Sequence, residues 1–137
     1  MTVGALDDLC RRHGVLALYL FGSRADDGRR RLAGEPVTGS GSDLDVAVLF
    51  EASPVPFRRL AALQVALEDV FAPLRIDLLP LQRVDPLVQF AAIDGLRIAA
   101  LDTTRADWFE LDVMRRAAEL LPIQRQRERD VFGLSTR

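Results

Sequence analysis

Ser-Asp-Leu-Asp-Val-Ala-Val-Leu-Phe, residues 42–50, places two acids at the mouth of an otherwise apolar run. From Leu44 to Phe50 the run is too short for a typical helix and reads as a strand buried on both faces. Side chains alternate along a strand, so Asp43 and Asp45 share one face while Leu44, Val46 and Val48 take the other. Two carboxylates roughly 7 Å apart along a strand, at a partly buried site, call for a compensating cation, and Mg²⁺ with oxygen ligands is the natural one. A second strand with an internal acid lies downstream at Arg75-Ile76-Asp77-Leu78-Leu79, within a predicted strand over 74–79. There Asp77 projects away from Ile76 and Leu78. If the two strands are neighbours, three carboxylates converge, and charge inside apolar strands requires an explanation.

Upstream, Val15 to Phe21 is continuously apolar and predicts another buried strand, ending at Gly22-Ser23. Glycine lets the backbone approach a phosphate closely, serine supplies a hydroxyl donor, and the free N–H groups of a following helical turn favour anions. The predicted strands alternate with helices. Leu6, Leu9 and Cys10 mark a first helix within residues 1–14, closed by Gly14; His13 sits at its end, where it can meet the helix dipole. Leu60, Leu63, Leu67 and Val70 form a helical stripe that Pro73 stops, with Ser53-Pro54 as the offered start. Asp85-Pro86 opens a further helix with Val88, Ala91 and Ala92 as its stripe, before a strand over 96–101. Thr104 and Asp107 predict the cap of a last helix whose inner face is Trp108, Leu111, Met114 or Arg115, and Ala118, ending at Pro122. Residues 24–42, with Gly28, Gly34, Gly39, Gly41 and the run Arg29-Arg30-Arg31, read as a long loop, and 122–137 as a charged tail. The expectation is a single α/β domain over residues 1–137, with about four strands and four helices.

Composition narrows the function classes. A chain of 137 residues, 49% apolar, has material for one core. No run approaches the ~20 apolar residues that cross a bilayer, and the first residues lack a signal pattern, so a cytoplasmic protein without a membrane partner is expected. All 18 basic residues are arginine, and the net charge of −2 lacks the basic excess of a nucleic-acid binder. Cys10, the single cysteine, reads as a packed thiol. Tyr19, mid-strand, reads as core.

Taken in order, Leu-Tyr-Leu-Phe-Gly-Ser-Arg (18–24), Ser-Asp-Leu-Asp-Val-Ala-Val-Leu (42–49) and Arg-Ile-Asp-Leu-Leu (75–79) resemble the DNA polymerase β-like nucleotidyltransferases, and among them the minimal nucleotidyltransferases. The likeness runs from residue 15 to about 120. It implies a mixed β-sheet flanked by helices, with nucleotide held by Gly22, Ser23, Arg24 and Ser42. It further implies Mg²⁺, as two ions, on Asp43, Asp45 and Asp77, with Asp77 as ligand or as base toward the attacking hydroxyl. The stretch 24–42 is longer than the family usually has there; it is either an insertion without a role, a phosphate clamp through Arg29-Arg30-Arg31, or an obstruction of the site. Relatives of this size are often antitoxins paired with a HEPN-family ribonuclease toxin, so the expected activity is transfer of AMP from ATP to a toxin tyrosine within a hetero-oligomer. The alternatives are a small-molecule nucleotidyltransferase of the aminoglycoside-modifying kind, which generally carries a second helical domain, and a catalytically degenerate antitoxin acting by occlusion.

Overall fold

The computed structural model describes the backbone of residues 3–132 and the side chains of residues 4–122. The elements run α1 (Val3–His13), β1 (Val15–Phe21), α2 (Ala25–Leu32), β2 (Leu44–Phe50), α3 (Phe57–Phe71), β3 (Ile76–Pro80), a 3₁₀ turn (Leu81–Arg83), α4 (Pro86–Ile93), β4 (Leu96–Ala100) and α5 (Thr103–Phe132). Among the described residues, no helix is long and apolar enough to cross a membrane.

The four strands form one mixed sheet in the order β3-β2-β1-β4. β1 is antiparallel to both β2 and β4, while β2 and β3 are parallel. The apolar runs of β1 and β2 have their cause here: they are the two central strands and both faces are covered. On one face Leu18, Leu20, Leu44, Val46 and Val48 pack with Leu6, Leu9 and Cys10 of α1 and Leu63, Leu67 and Phe71 of α3. On the other, Leu16, Tyr19, Ala47 and Leu49 pack with Leu81, Ala92, Ile93, Ala106 and Val113. Each large side chain taken out of water in this way contributes roughly 1.5–3 kcal/mol before conformational entropy is charged against it. Cys10 is fully buried, and burial pushes its thiol up to about 12.

Several boundaries differ from the sequence reading. The stretch 24–42 is not all loop, because α2 occupies its first half. Asp26 and Asp27 lie in the first turn and Arg29 to Arg31 in the last, the charge order that a helix dipole favours. Gly28 faces inward so tightly that a Cβ there would sit 2.8 Å from Leu20 and 2.9 Å from Leu44. The arginine run is no free clamp: Arg29 donates to Asp26, Arg30 meets Asp27 and Glu35, and Arg31 donates to the Ala72 carbonyl. The fifth α-helix in place of four is this one.

α3 begins at Phe57 with Pro56 as its N-cap, so Ser53 does not cap it. Asp85 caps α4 as expected, accepting from the Leu87 and Val88 amides, but Gln89, Ala92 and Ile93 point inward and not Val88 and Ala91. α5 is capped by Asp102, which accepts from the Arg105 amide, whereas Asp107 binds Arg97. Its inner face carries Ala106, Val113 and Ala117, and Trp108, Leu111 and Met114 are exposed. Small residues win the inward positions because they let the helix approach the sheet and α4. Pro122 lies inside α5 and does not end it. Pro122 and Ala118, the residue whose carbonyl it leaves without an amide, are both exposed, so water can take the lost bond. Of the expected charged tail, residues 133–137 lie outside the described residues, as do the side chains beyond residue 122.

Candidate active site

β1 and β2 deliver the first two parts of the site side by side. Antiparallel pairing sets Phe21, the last residue of β1, opposite Asp45 near the start of β2. The chain turns at once at Gly22, whose φ of 76° lies in the left-handed region that residues with a Cβ avoid. A Cβ at Gly22 would also collide with the Asp45 carboxylate. Glycine is therefore required twice over, by backbone conformation and by the acid packed against it.

Parallel pairing supplies the third part. Asp45 of β2 is in register with Asp77 of β3, and Leu44 with Ile76, so the alternation read from the sequence holds across the strand pair: Asp45 and Asp77 share one face, Leu44 and Ile76 the other. The Asp45 carboxyl is held above the ordinary carboxylate range, first by burial, then by the charge of Asp77, a hydrogen bond with Asp77, and the charge of Asp43. Two adjoining carboxyls whose negative charges oppose each other present a donor set suited to a hard divalent cation, which would relieve that repulsion.

Asp43 stands slightly apart. It precedes β2, and its Oδ1 lies 3.3 Å from Arg75 Nε in an exposed ion pair. Among the described residues no group of three or more acids, histidines or cysteines is drawn together tightly enough to hold a metal. The structure thus joins Asp45 to Asp77 and leaves Asp43 on Arg75, an exposed contact of the kind that contributes little and exchanges easily.

Ser23 and Ser42 meet with their hydroxyl oxygens 3.3 Å apart, which brings the end of β1 against the residue before Asp43. Arg24, expected at the nucleotide, instead donates from Nε to Asp27 at 2.8 Å, from Nη1 to the Ser40 and Ser42 carbonyls at 2.8 and 3.1 Å, and from Nη2 to the Thr38 carbonyl at 2.6 Å. It is 7% exposed. A buried guanidinium needs this many acceptors, and the planar fork matches three loop carbonyls at once. Arg24 consequently anchors residues 38–42 and so positions Ser42 and Asp43. Sequence reasoning missed this role and that of Arg75; the carbonyl-rich loop that Arg24 binds has no side-chain signature.

Residues 5–103 match the family described as Polymerase beta, Nucleotidyltransferase. No curated protein matches the chain. Among solved structures, a mutant MntA–HpeT toxin–antitoxin crystal structure is similar with a TM-score of 0.69 at 16% identity, covering 96% of this chain and 99% of that one. A tri-AMPylated Shewanella oneidensis HEPN toxin in complex with MNT antitoxin gives 0.65 at 16% identity, over 95% of each chain. A structure described as a minimal nucleotidyltransferase gives 0.50 at 29% identity, over 69% of this chain and 85% of that one. At such identities the toxin–antitoxin likenesses establish the fold.

Proposed function

The chain belongs to the polymerase β nucleotidyltransferase family, and on that premise we propose that it is a Mg²⁺-dependent adenylyltransferase acting as the antitoxin of a HEPN-type toxin. The observation that carries the reading is the in-register pair Asp45 and Asp77, with Asp45 packed against Gly22 and the Ser23 and Ser42 hydroxyls facing each other beside it. In support, similar folds occur in a complex whose toxin is tri-AMPylated and in a toxin–antitoxin bound to AMP-PNP.

Asp43, Asp45 and Asp77 would hold Mg²⁺, which when bound neutralises triphosphate charge and lowers the pKa of an acceptor hydroxyl. The rest falls to the chain itself. Gly22, lacking a Cβ, admits the triphosphate close to the backbone, and the Ser23 and Ser42 hydroxyls donate to its oxygens. Asp77 takes the proton from a toxin tyrosine. The tyrosine oxygen bonds to the α-phosphorus, the bond from that phosphorus to the bridging oxygen breaks, and pyrophosphate departs with the electron pair. Positioning and charge neutralisation supply most of the rate in this chemistry.

Intact-mass analysis of the toxin, co-expressed with the wild-type protein or with an Asp43→Ala, Asp45→Ala variant, tests the reading. Adenylyl adducts with wild type alone are the expected result. An unmodified toxin held in a stable complex by both proteins would replace catalysis with occlusion.

A further inference from the structure

The end of the sheet remote from the acids carries an opposite charge. Where α1 leads into β1 and α3 begins, a cavity of about 420 Å³ is lined by Arg12, His13, Pro56, Arg58 and Arg59. β1, seven residues long, separates it from Gly22, a distance of roughly 20 Å along the strand. Among the described residues, Arg12, Arg58 and Arg59 make neither an ion pair nor a side-chain hydrogen bond, whereas Arg11, Arg24, Arg29, Arg30, Arg75, Arg97, Arg115 and Arg116 are ion-paired and Arg31, Arg83 and Arg105 donate to backbone carbonyls.

Helix electrostatics account for half of this cluster and make the other half costly. Arg12 and His13 end α1, where positive charge suits the dipole. Arg58 and Arg59 occupy the first turn of α3, the end at which the dipole repels cations, and that turn holds no acid. Pro56 gives α3 no side-chain cap, and although the Arg59 amide donates to the Pro56 carbonyl, the Phe57 and Arg58 amides ahead of it add to the positive field. Arg59 is seated against Gly14: a Cβ on that left-handed glycine would lie 2.7 Å from Nη1. His13, between Arg12 and Arg59, has its pKa lowered by burial and then by both arginines, as expected for a crowded positive site. Unpaired guanidinium groups, uncapped helix amides and a concavity of ligand size together fit one class of ligand.

We propose that Arg12, Arg58 and Arg59 form a second anion site that binds the oligophosphate of a small molecule, at the pole of the sheet opposite the candidate active site. Two sources share this chemistry, a nucleoside triphosphate and free pyrophosphate. The site does not depend on the function proposed above.

His13 is the only histidine in the chain, so its imidazole resonances report on the cavity without assignment. Proton NMR of the tag-free full chain in EDTA, titrated separately with pyrophosphate, ATP and sodium sulfate at matched ionic strength, reads binding directly. The expected result is a saturable His13 shift with pyrophosphate, ATP or both, a raised His13 pKa in the bound form, and a preference over sulfate of tenfold or more. Whichever of the two saturates at lower concentration identifies the source. An Arg58→Gln, Arg59→Gln variant should weaken binding at least tenfold, while Asp43→Asn, Asp45→Asn leaves it intact. A His13 resonance that does not saturate, or responds equally to sulfate, overturns the proposal. So does a response lost with the aspartate variant. If a single-stranded RNA oligonucleotide moves the resonance and neither oligophosphate does, the surface belongs to nucleic acid and the small-molecule site is wrong.

Discussion

Asp45 is the residue on which the proposed chemistry and the stability of the chain pull in opposite directions. Its carboxyl is raised in the folded state by burial and by Asp77, so the stabilising contribution is fully present below the unfolded pKa and is lost as pH rises through the folded one. At neutral pH the ionised group is a liability to the fold. Asp45→Asn should therefore raise Tm at pH 7 by a few degrees, an advantage that fades on acidification below the ordinary carboxylate range, as a thermal melt series across pH would reveal. The same variant should lose adenylyl transfer by about 100-fold or more. Wild-type transfer at limiting Mg²⁺ should fall as pH drops through the raised pKa, because protonation competes with the metal. Gly22→Ala tests the neighbouring constraint. A left-handed φ of 76° and a collision with Asp45 should together cost about 1–3 kcal/mol in urea unfolding and abolish transfer. Unchanged stability would mean that the turn relaxes and that Gly22 is not required as argued.

At the scale of elements, the segment between β1 and β2 turns on a single side chain. Arg24 holds the Thr38, Ser40 and Ser42 carbonyls, so Arg24→Ala should leave three acceptors unbound, lower stability by about 2–3 kcal/mol, and expose residues 33–42 to proteolysis. Arg24→Lys should rescue little, because an ammonium cannot reproduce the planar fork. A lysine variant with wild-type protease resistance would count against the anchor. This segment also marks where sequence reading stops. β1, β2 and the face on which Asp45 and Asp77 each stand were legible because alternation and apolar runs report directly on burial, whereas the adjacency of β2 and β3 that sets Asp45 beside Asp77 entered only as a condition. α2 was not, since glycine and charge suggest loop, and only the close packing of Gly28 on Leu20 and Leu44 reveals why a glycine stands inside a helix. α5 misled for another reason. Its large apolar residues and its small ones each repeat at helical spacing, and the shape of the neighbouring sheet and α4 selects the small set, including Ala106 and Ala117. Glu110 accepts from the Tyr19 hydroxyl and from Arg97, a tie between α5, β1 and β4 that depends on tertiary neighbours.

For the whole molecule, the helices on both faces of one sheet make Cys10 a reporter of global unfolding. Its thiol is completely buried between α1 and the sheet, and burial pushes its pKa up to about 12, so very little thiolate forms in the native state at about pH 8. Labelling by iodoacetamide should then require opening of the core, at a rate equal to that of an exposed thiol multiplied by the fraction unfolded. ATP with Mg²⁺ binds the folded state alone under the proposed function, and a ligand at 100 times its Kd stabilises that state by about 2.7 kcal/mol, which is a ~100-fold slowing of labelling. With Arg58→Gln and Arg59→Gln also in place, so that the second anion site is lost, the Asp43→Asn, Asp45→Asn variant should show no such slowing with Mg²⁺-ATP. A local release of α1 would behave differently. Labelling would then stay fast and insensitive to Mg²⁺-ATP even while Tm rises, and the cooperative unit would exclude the helix that carries Cys10.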